Sequence, residues 1–183
     1  MSSYPTAGSS RLVMIDVQER LVPAMSGFEG AGNRIHLLLN GVRELAVPVI
    51  VTEQYPQGLG ATLPEFSALL TPGTPVVAKT GFSVFGEPLF VEELEKNKKE
   101  TLIFCGIESH VCVLQSVLDS LDAGYRTVVA ADAVTSRKPE DRELALAQMR
   151  YSGALVASSE AILFMLLRTA RHPAFKAVSK LVR

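Results

Sequence analysis

Thr101-Leu102-Ile103-Phe104-Cys105-Gly106-Ile107-Glu108-Ser109-His110-Val111-Cys112-Val113 begins as a short apolar run of β-forming residues and ends where a helical pattern takes over. From Val113 onward, Leu114, Val117, Leu118 and Leu121 recur at helical spacing. The stretch therefore predicts a buried strand turning into a helix, with Cys112 in the helix's first turn. Free backbone N–H groups and the positive end of the helix dipole favour a thiolate there, and the same donors can hold an oxyanion. A second reading stands beside the first, in which Cys112 is simply a small buried apolar side chain.

The same alternation extends in both directions. Arg11 to Asp16 reads as a strand ending in a carboxylate. Ile35, Leu38, Leu39, Val42 and Leu45 mark one face of a helix, placed over Gly32 to Ala46, and Val47 to Glu53 is a second strand. A loop from Gln54 to Thr62 carries Pro56, Gly58 and Gly60. Pro75 to Lys79 is a third strand, and Val91 to Asn97 a short helix before the strand at Thr101. Thr127 to Ala131, a helix from Pro139 to Tyr151, and a sixth strand from Ala154 to Ala157 complete the pattern. Ser158 is placed as the N-cap of a helix running through Leu167. Continuously apolar strands between amphipathic helices predict an α/β fold of three α/β/α layers around a six-stranded, mainly parallel sheet.

Ligands of such sheets bind at the carboxyl ends of the strands. Asp16, Lys79 and Cys112 all fall at or just beyond predicted strand ends, so they share one rim. A carboxylate beside a thiol can take its proton and return it to a leaving group. A nearby ammonium would keep the carboxylate ionised and lower the thiol pKa. Gln54, Tyr55, Phe82 and Phe85 follow strand ends and are candidates for lining the pocket, the phenylalanines equally for ordinary core. His110 is read as a packing or hydrogen-bonding residue at the helix start, and Cys105 as a core thiol.

The remaining expectations come from composition. The 183 residues are 48% hydrophobic and 20% charged, with a net charge of −1, which gives no electrostatic footprint for nucleic acid or an anionic membrane. Two cysteines and no secretory pattern point to a reducing, cytoplasmic setting. Residues 1–10 read as a flexible lead and 11–183 as a single domain. Arg168, Arg171, Lys176, Lys180 and Arg183 make the last sixteen residues basic, as a solvated face or an oligomer contact.

Asp16-Val17-Gln18, Lys79-Thr80-Gly81-Phe82-Ser83, the run from Gly106 to Val113, and Asp132-Ala133 with Ser136-Arg137 occur in an order and spacing that resembles the isochorismatase-like cysteine hydrolases. Thr52-Glu53-Gln54-Tyr55-Pro56 with Gly58-Leu59-Gly60 looks most like the isochorismatase-domain-containing branch. The resemblance implies Asp16 as general base and acid, Lys79 as its electrostatic partner and Cys112 as nucleophile. It also implies a cis peptide at Ile107-Glu108, an oxyanion hole from the Glu108 and Cys112 N–H groups, and substrate contacts from Gln18, Gln54, Tyr55 and Phe82. Homo-oligomers are common among such proteins.

Two departures narrow the expectation. Nicotinamidases hold a metal with histidines on the loop after the second strand, and His36, His110 and His172 all lie outside it. No metal and no cofactor is expected. Isochorismatases proper lack the cysteine, so Cys112 favours a small amide or carbamoyl substrate cleaved through a thioester. The alternatives are a binding or scaffold protein, or a redox-responsive thiol protein, on the same fold.

Overall fold

The structure is a computed structural model that describes residues 4–183. Six parallel strands stand in the order β3-β2-β1-β4-β5-β6. They are β1 (Ser10–Ile15), β2 (Val49–Gln54), β3 (Val76–Lys79), β4 (Thr101–Ile107), β5 (Arg126–Thr135) and β6 (Leu155–Ala157). The chain runs outward from β1 to β3, then returns to the other side of β1 and runs outward again. The order reverses between β1 and β4, the place where sheets of this kind ordinarily bind their ligands.

Continuous apolar strands are explained by cover on both faces. Leu12 and Met14 of β1 point to one face, where they meet α1 (Phe28–Glu44), α7 (Ser159–Leu167) and α8 (Phe175–Leu181) through Ile35, Leu38, Leu163 and Val178. Val13 and Ile15 point to the other, against α4 (Pro88–Lys96), α5 (Leu114–Asp122) and α6 (Pro139–Tyr151) through Phe90, Leu94, Val117 and Met149. Each fully buried aliphatic or phenylalanine side chain contributes about 1.5–3 kcal/mol relative to exposure. Phe85 belongs to this second layer, with its ring against Phe90 and Tyr125 at centroid distances of 5.6 and 6.0 Å.

At the centre, β1 and β4 approach each other closely opposite Gly106, which has φ +114°. A Cβ there would lie 2.1 Å from the Ile15 carbonyl oxygen, well inside contact distance, and the φ is one that L side chains rarely adopt. Glycine at this position lets the two strands that carry Asp16 and the Cys112 turn leave the sheet side by side.

Several boundaries differ from expectation. Helix α1 starts at Phe28, a turn before Gly32, because packing of its apolar face outweighs the low propensity of Gly30 and Gly32. The loop after β2 contains α2 (Pro56–Leu59), and α3 (Pro64–Ser67) follows. Strand β5 continues past Ala131 to Thr135, with a register shift opposite Phe104 and Gly106 that bulges Asp132 outward. Of the expected flexible lead, residues 1–3 lie outside the described residues and 4–10 are tied down. Arg126 donates to Tyr4 O at 3.2 Å, Lys99 Nζ to Gly8 O at 2.9 Å, and the Arg168 guanidinium lies 4.8 Å from the Tyr4 ring centroid. Among the described residues, no helix is long and apolar enough to cross a membrane.

Candidate active site

Asp16 is the first residue beyond β1 and has φ +54°, a left-handed turn that aspartate tolerates better than most residues. Its N–H donates to Thr52 O at 3.1 Å. Its side chain is fully buried: Oδ1 accepts from Thr52 Oγ1 at 2.7 Å, and Oδ2 has the Lys79 ammonium at 2.7 Å as its partner. Lys79 ends β3, two strands away across about 10 Å, a distance its four-carbon stem spans beneath the loops. Its ammonium faces four oxygens, with Gln54 Oε1 at 2.5 Å, Phe82 O at 3.1 Å and Gly81 O at 3.2 Å besides Asp16. Three N–H groups cannot serve more than these, so Lys79 is fully committed.

Cys112 completes the cluster from the other side of β1. Beyond the cis Ile107–Glu108 bond, the chain makes one wide π-helical turn, Ser109–Val113, before α5 begins at Leu114. Cys112 thus precedes the regular helix instead of lying in its first turn. Its carbonyl accepts from Ser116 Oγ at 2.6 Å, and Ser116 Oγ in turn accepts from Val84 N–H at 3.1 Å, tying the turn to the loop after β3. Cys112 is 5% exposed, its sulfur lies 4.0 Å from Gln54 Oε1, and it stands close enough to Asp16 for the two groups to shift one another's titration.

The electrostatics correct one expectation. Burial, and then the neighbouring Asp16 charge, push the Cys112 thiol up to about 12, and Lys79 only partly opposes them. A resting thiolate is therefore disfavoured, first by burial and then by the Asp16 charge, with Lys79 offsetting only part of the two. Burial also raises the Asp16 carboxyl above its usual range, against the pull of Lys79 and the Thr52 hydrogen bond. The arrangement is a neutral thiol beside a carboxylate whose proton affinity is raised, which suits transfer of a proton during bond formation.

The expected pocket residues divide. Tyr55 and Phe82 are 55% and 53% exposed at the rim, and Tyr55 lines a 140 Å³ cavity with Gln57, Lys79, Thr80 and Glu87. Gln54 sits deeper, with its amide fixed between Lys79 Nζ and Thr80 O (2.8 Å). Gln18 is fully buried, and its amide is used by backbone: Nε2 donates to Gln54 O at 3.0 Å and Gly60 O at 2.7 Å, while Oε1 accepts from Gln54 N–H at 2.8 Å. It braces the loop instead of facing the rim. The Glu108 side chain turns away to Arg137, and His110 to Ser136. Asp132 caps α7, accepting from Ser159 N–H and Oγ at 2.7 Å each.

Thr52 and Ser116 were not singled out from the sequence. The available signal is polarity out of place: Thr52 is a fully buried polar residue directly after the apolar run Val49–Val51, and Ser116 lies four residues after Cys112 on the buried face of α5.

Comparison with known proteins gives the same frame. Residues 10–161 match the isochorismatase domain. Isochorismatase domain-containing protein 2 of Homo sapiens is 41% identical over 177 residues, 96% of this chain and 84% of that protein. Protein 2A of Mus musculus is 40% identical over 176 residues, 96% of this chain and 83% of its own. A structure described as MAR1 ribonuclease from Caenorhabditis elegans superposes with a TM-score of 0.93 at 38% identity, covering 98% of this chain and 92% of that one. The YcaC gene product of Escherichia coli, described as an octameric hydrolase of unknown specificity, shares the fold with a TM-score of 0.92 at 22% identity, covering 99% and 90%. With the domain matched from β1 into the start of α7, and relatives about 40% identical along nearly the whole chain, this chain belongs to the isochorismatase domain family.

Proposed function

We propose that the chain is a cysteine hydrolase that cleaves the C–N bond of a small amide or carbamoyl compound. The observation that carries this reading is the fully buried Asp16–Lys79 pair set against the Cys112 thiol at the point where strand order reverses. Such a pair is costly to bury and is weak evidence of a stability role. As the Cys112 sulfur bonds to the carbonyl carbon, its proton passes to Asp16 and the carbonyl electron pair moves to oxygen. The Glu108 and Cys112 N–H groups hold that oxyanion. Collapse breaks the C–N bond, and Asp16 gives its proton to the departing nitrogen, leaving a thioester. Water then attacks, again losing its proton to Asp16, and the proton returns to sulfur as the acid leaves.

Lys79 acts by holding Asp16 in place, and Gln54 by holding Lys79. Tyr55 and Phe82 form the rim that a small substrate passes. No step requires a metal or cofactor. A redox role fits less well, since a thiol pushed up to about 12 offers little thiolate for oxidation at neutral pH.

The test is a screen of small amides and ureas by ammonia or amine release, followed by Cys112→Ser on any substrate found. Turnover should fall about a thousandfold or more, and wild-type protein quenched during turnover should carry the acyl mass on Cys112. Full turnover in Cys112→Ser would overturn the mechanism. The same pair of proteins should be incubated with RNA, given the C. elegans relative's description. RNA cleavage that survives Cys112→Ser would move the function to another site.

Self-association is part of the proposal. Leu144 and Tyr151, seven residues apart on α6, are 71% and 94% exposed, and Leu155 on the edge strand β6 lies exposed as well. Light scattering should give a multiple of the chain mass, and a monomer at micromolar concentration would remove this element.

A further inference from the structure

The turn that carries Cys112 is closed from within by the Val111 and Val113 N–H groups, both donating to Glu108 O at 3.1 Å. Two of its side chains reach outward, and both end on Ser136-Arg137, the segment between β5 and α6. The Glu108 carboxylate, almost entirely buried, accepts from the Arg137 N–H at 3.2 Å and from Arg137 Nε at 3.0 Å. His110 Nδ1 lies 2.9 Å from Ser136 Oγ, and His110 Nε2 lies 3.9 Å from Asp141 Oδ2 at the start of α6.

That segment is itself fixed from behind. Ser136 O accepts from Ser26 N–H at 3.0 Å, Thr135 Oγ1 donates to Ser26 O at 2.6 Å, and Arg142 Nε donates to Val134 O at 2.9 Å. A carboxylate as buried as Glu108 is unfavourable without its partners, so Glu108 and Arg137 hold one another in a single arrangement. The Arg137 side chain is 59% exposed, and an ion pair to so exposed a partner contributes little to global stability. Its effect is local, on the orientation of the Glu108 residue.

We propose that Ser136 and Arg137 are positioning residues for the oxyanion-binding turn. Through His110 and Glu108 they fix the direction of the Glu108 and Cys112 N–H groups toward the carbonyl oxygen of a bound substrate. This rests on the cysteine-hydrolase reading above. It gives Glu108 two separate parts, its N–H as oxyanion donor and its carboxylate as the anchor of that donor.

Propanal tests the role without a known substrate. The thiol adds across the aldehyde: the S–C bond forms, the C=O π pair moves to oxygen, and the thiol proton, passed through Asp16, ends on that oxygen. The adduct places its oxygen where the oxyanion donors lie. Iodoacetamide instead loses iodide from a saturated carbon and needs no such donors. Propanal affinity is read from protection of Cys112 against iodoacetamide at pH 9, with the labelled thiol located by mass spectrometry.

Arg137→Ala and Glu108→Gln should each weaken propanal by about tenfold, since small displacements of reacting geometry are costly. Alkylation of Arg137→Ala without aldehyde should stay within about twofold of wild type, and Arg137→Lys should recover part of the affinity. Ser136→Ala, which removes only the His110 tie, should weaken propanal by a smaller factor and serves if Arg137→Ala does not fold. Unchanged propanal affinity in all four variants overturns the positioning role. So does alkylation that slows in parallel with propanal affinity, which marks general distortion. Wild-type protein that is alkylated at Cys112 yet binds no propanal overturns the hydrolase reading and this inference with it.

Discussion

Lys79→Met is expected to lower the unfolding free energy by about 3–5 kcal/mol at pH 8, the usual cost of depriving a buried charge of its partner. Lys79 and Asp16 have fully buried side chains 2.7 Å apart, so no water can take the lysine's place without rearrangement. The double variant Asp16→Asn, Lys79→Met removes both charges and should recover most of the loss, because a buried pair is often replaceable by neutral groups of similar volume. The deficit of the single variant should also depend on pH. Burial already holds the Asp16 carboxyl above its usual range, and without Lys79 nothing cationic opposes that shift. A carboxyl whose folded pKa is raised contributes its stability below the unfolded value, about 3.9, and loses it as pH rises through the folded value. Lys79→Met should therefore approach wild type near pH 4 and fall furthest behind at pH 8. Urea unfolding at the two pH values checks this, and a pH-independent deficit would contradict it.

Asp16→Asn should separate thiol reactivity from turnover. The Asp16 charge raises the Cys112 pKa and Lys79 lowers it, so removing the carboxylate leaves the ammonium to favour the thiolate. Iodoacetamide labelling of Cys112 at pH 8 should speed up by about tenfold or more, because only the thiolate reacts. Turnover of an amide should fall by about 100- to 10,000-fold, the typical worth of a positioned acid and base. Labelling that slows in Asp16→Asn, or turnover that persists, would remove Asp16 from the proposed role. In wild type, labelling should keep rising well above pH 9 instead of levelling off at an ordinary thiol's pKa.

The parts of this architecture legible in the sequence are those where burial is continuous. Strands covered on both faces read as unbroken apolar runs, and five of the six stand within about two residues of their expected bounds at both ends. Strand β5 runs past its expected end at Ala131 because its bulge brings polar Asp132 into a run that otherwise looks complete. Helices α2 and α3, at four residues each, are too short to show a period, and α8 has one buried residue, Val178, to mark it. The shared rim of Asp16, Lys79 and Cys112 followed from strand ends alone. Their electrostatics did not, since the sequence places Cys112 after a strand but cannot show that Lys79 is already saturated by four oxygens. Gln54 is expected in the pocket because it follows a strand end, and Gln18 because of the family resemblance, and the amides of both are committed to the frame.

The groups gathered at this rim are a carboxylate, an ammonium and a neutral thiol, and the two formal charges cancel. An approaching substrate accordingly meets no monopole from the cluster itself, whatever its own sign. Steered encounters that collapse with added salt require a net field, and this cluster supplies none. In the proposed hydrolase, selectivity is therefore exercised at contact distance, where the shape of the Tyr55 and Phe82 rim and the direction of a few N–H groups decide which carbonyl carbon comes to rest against sulfur.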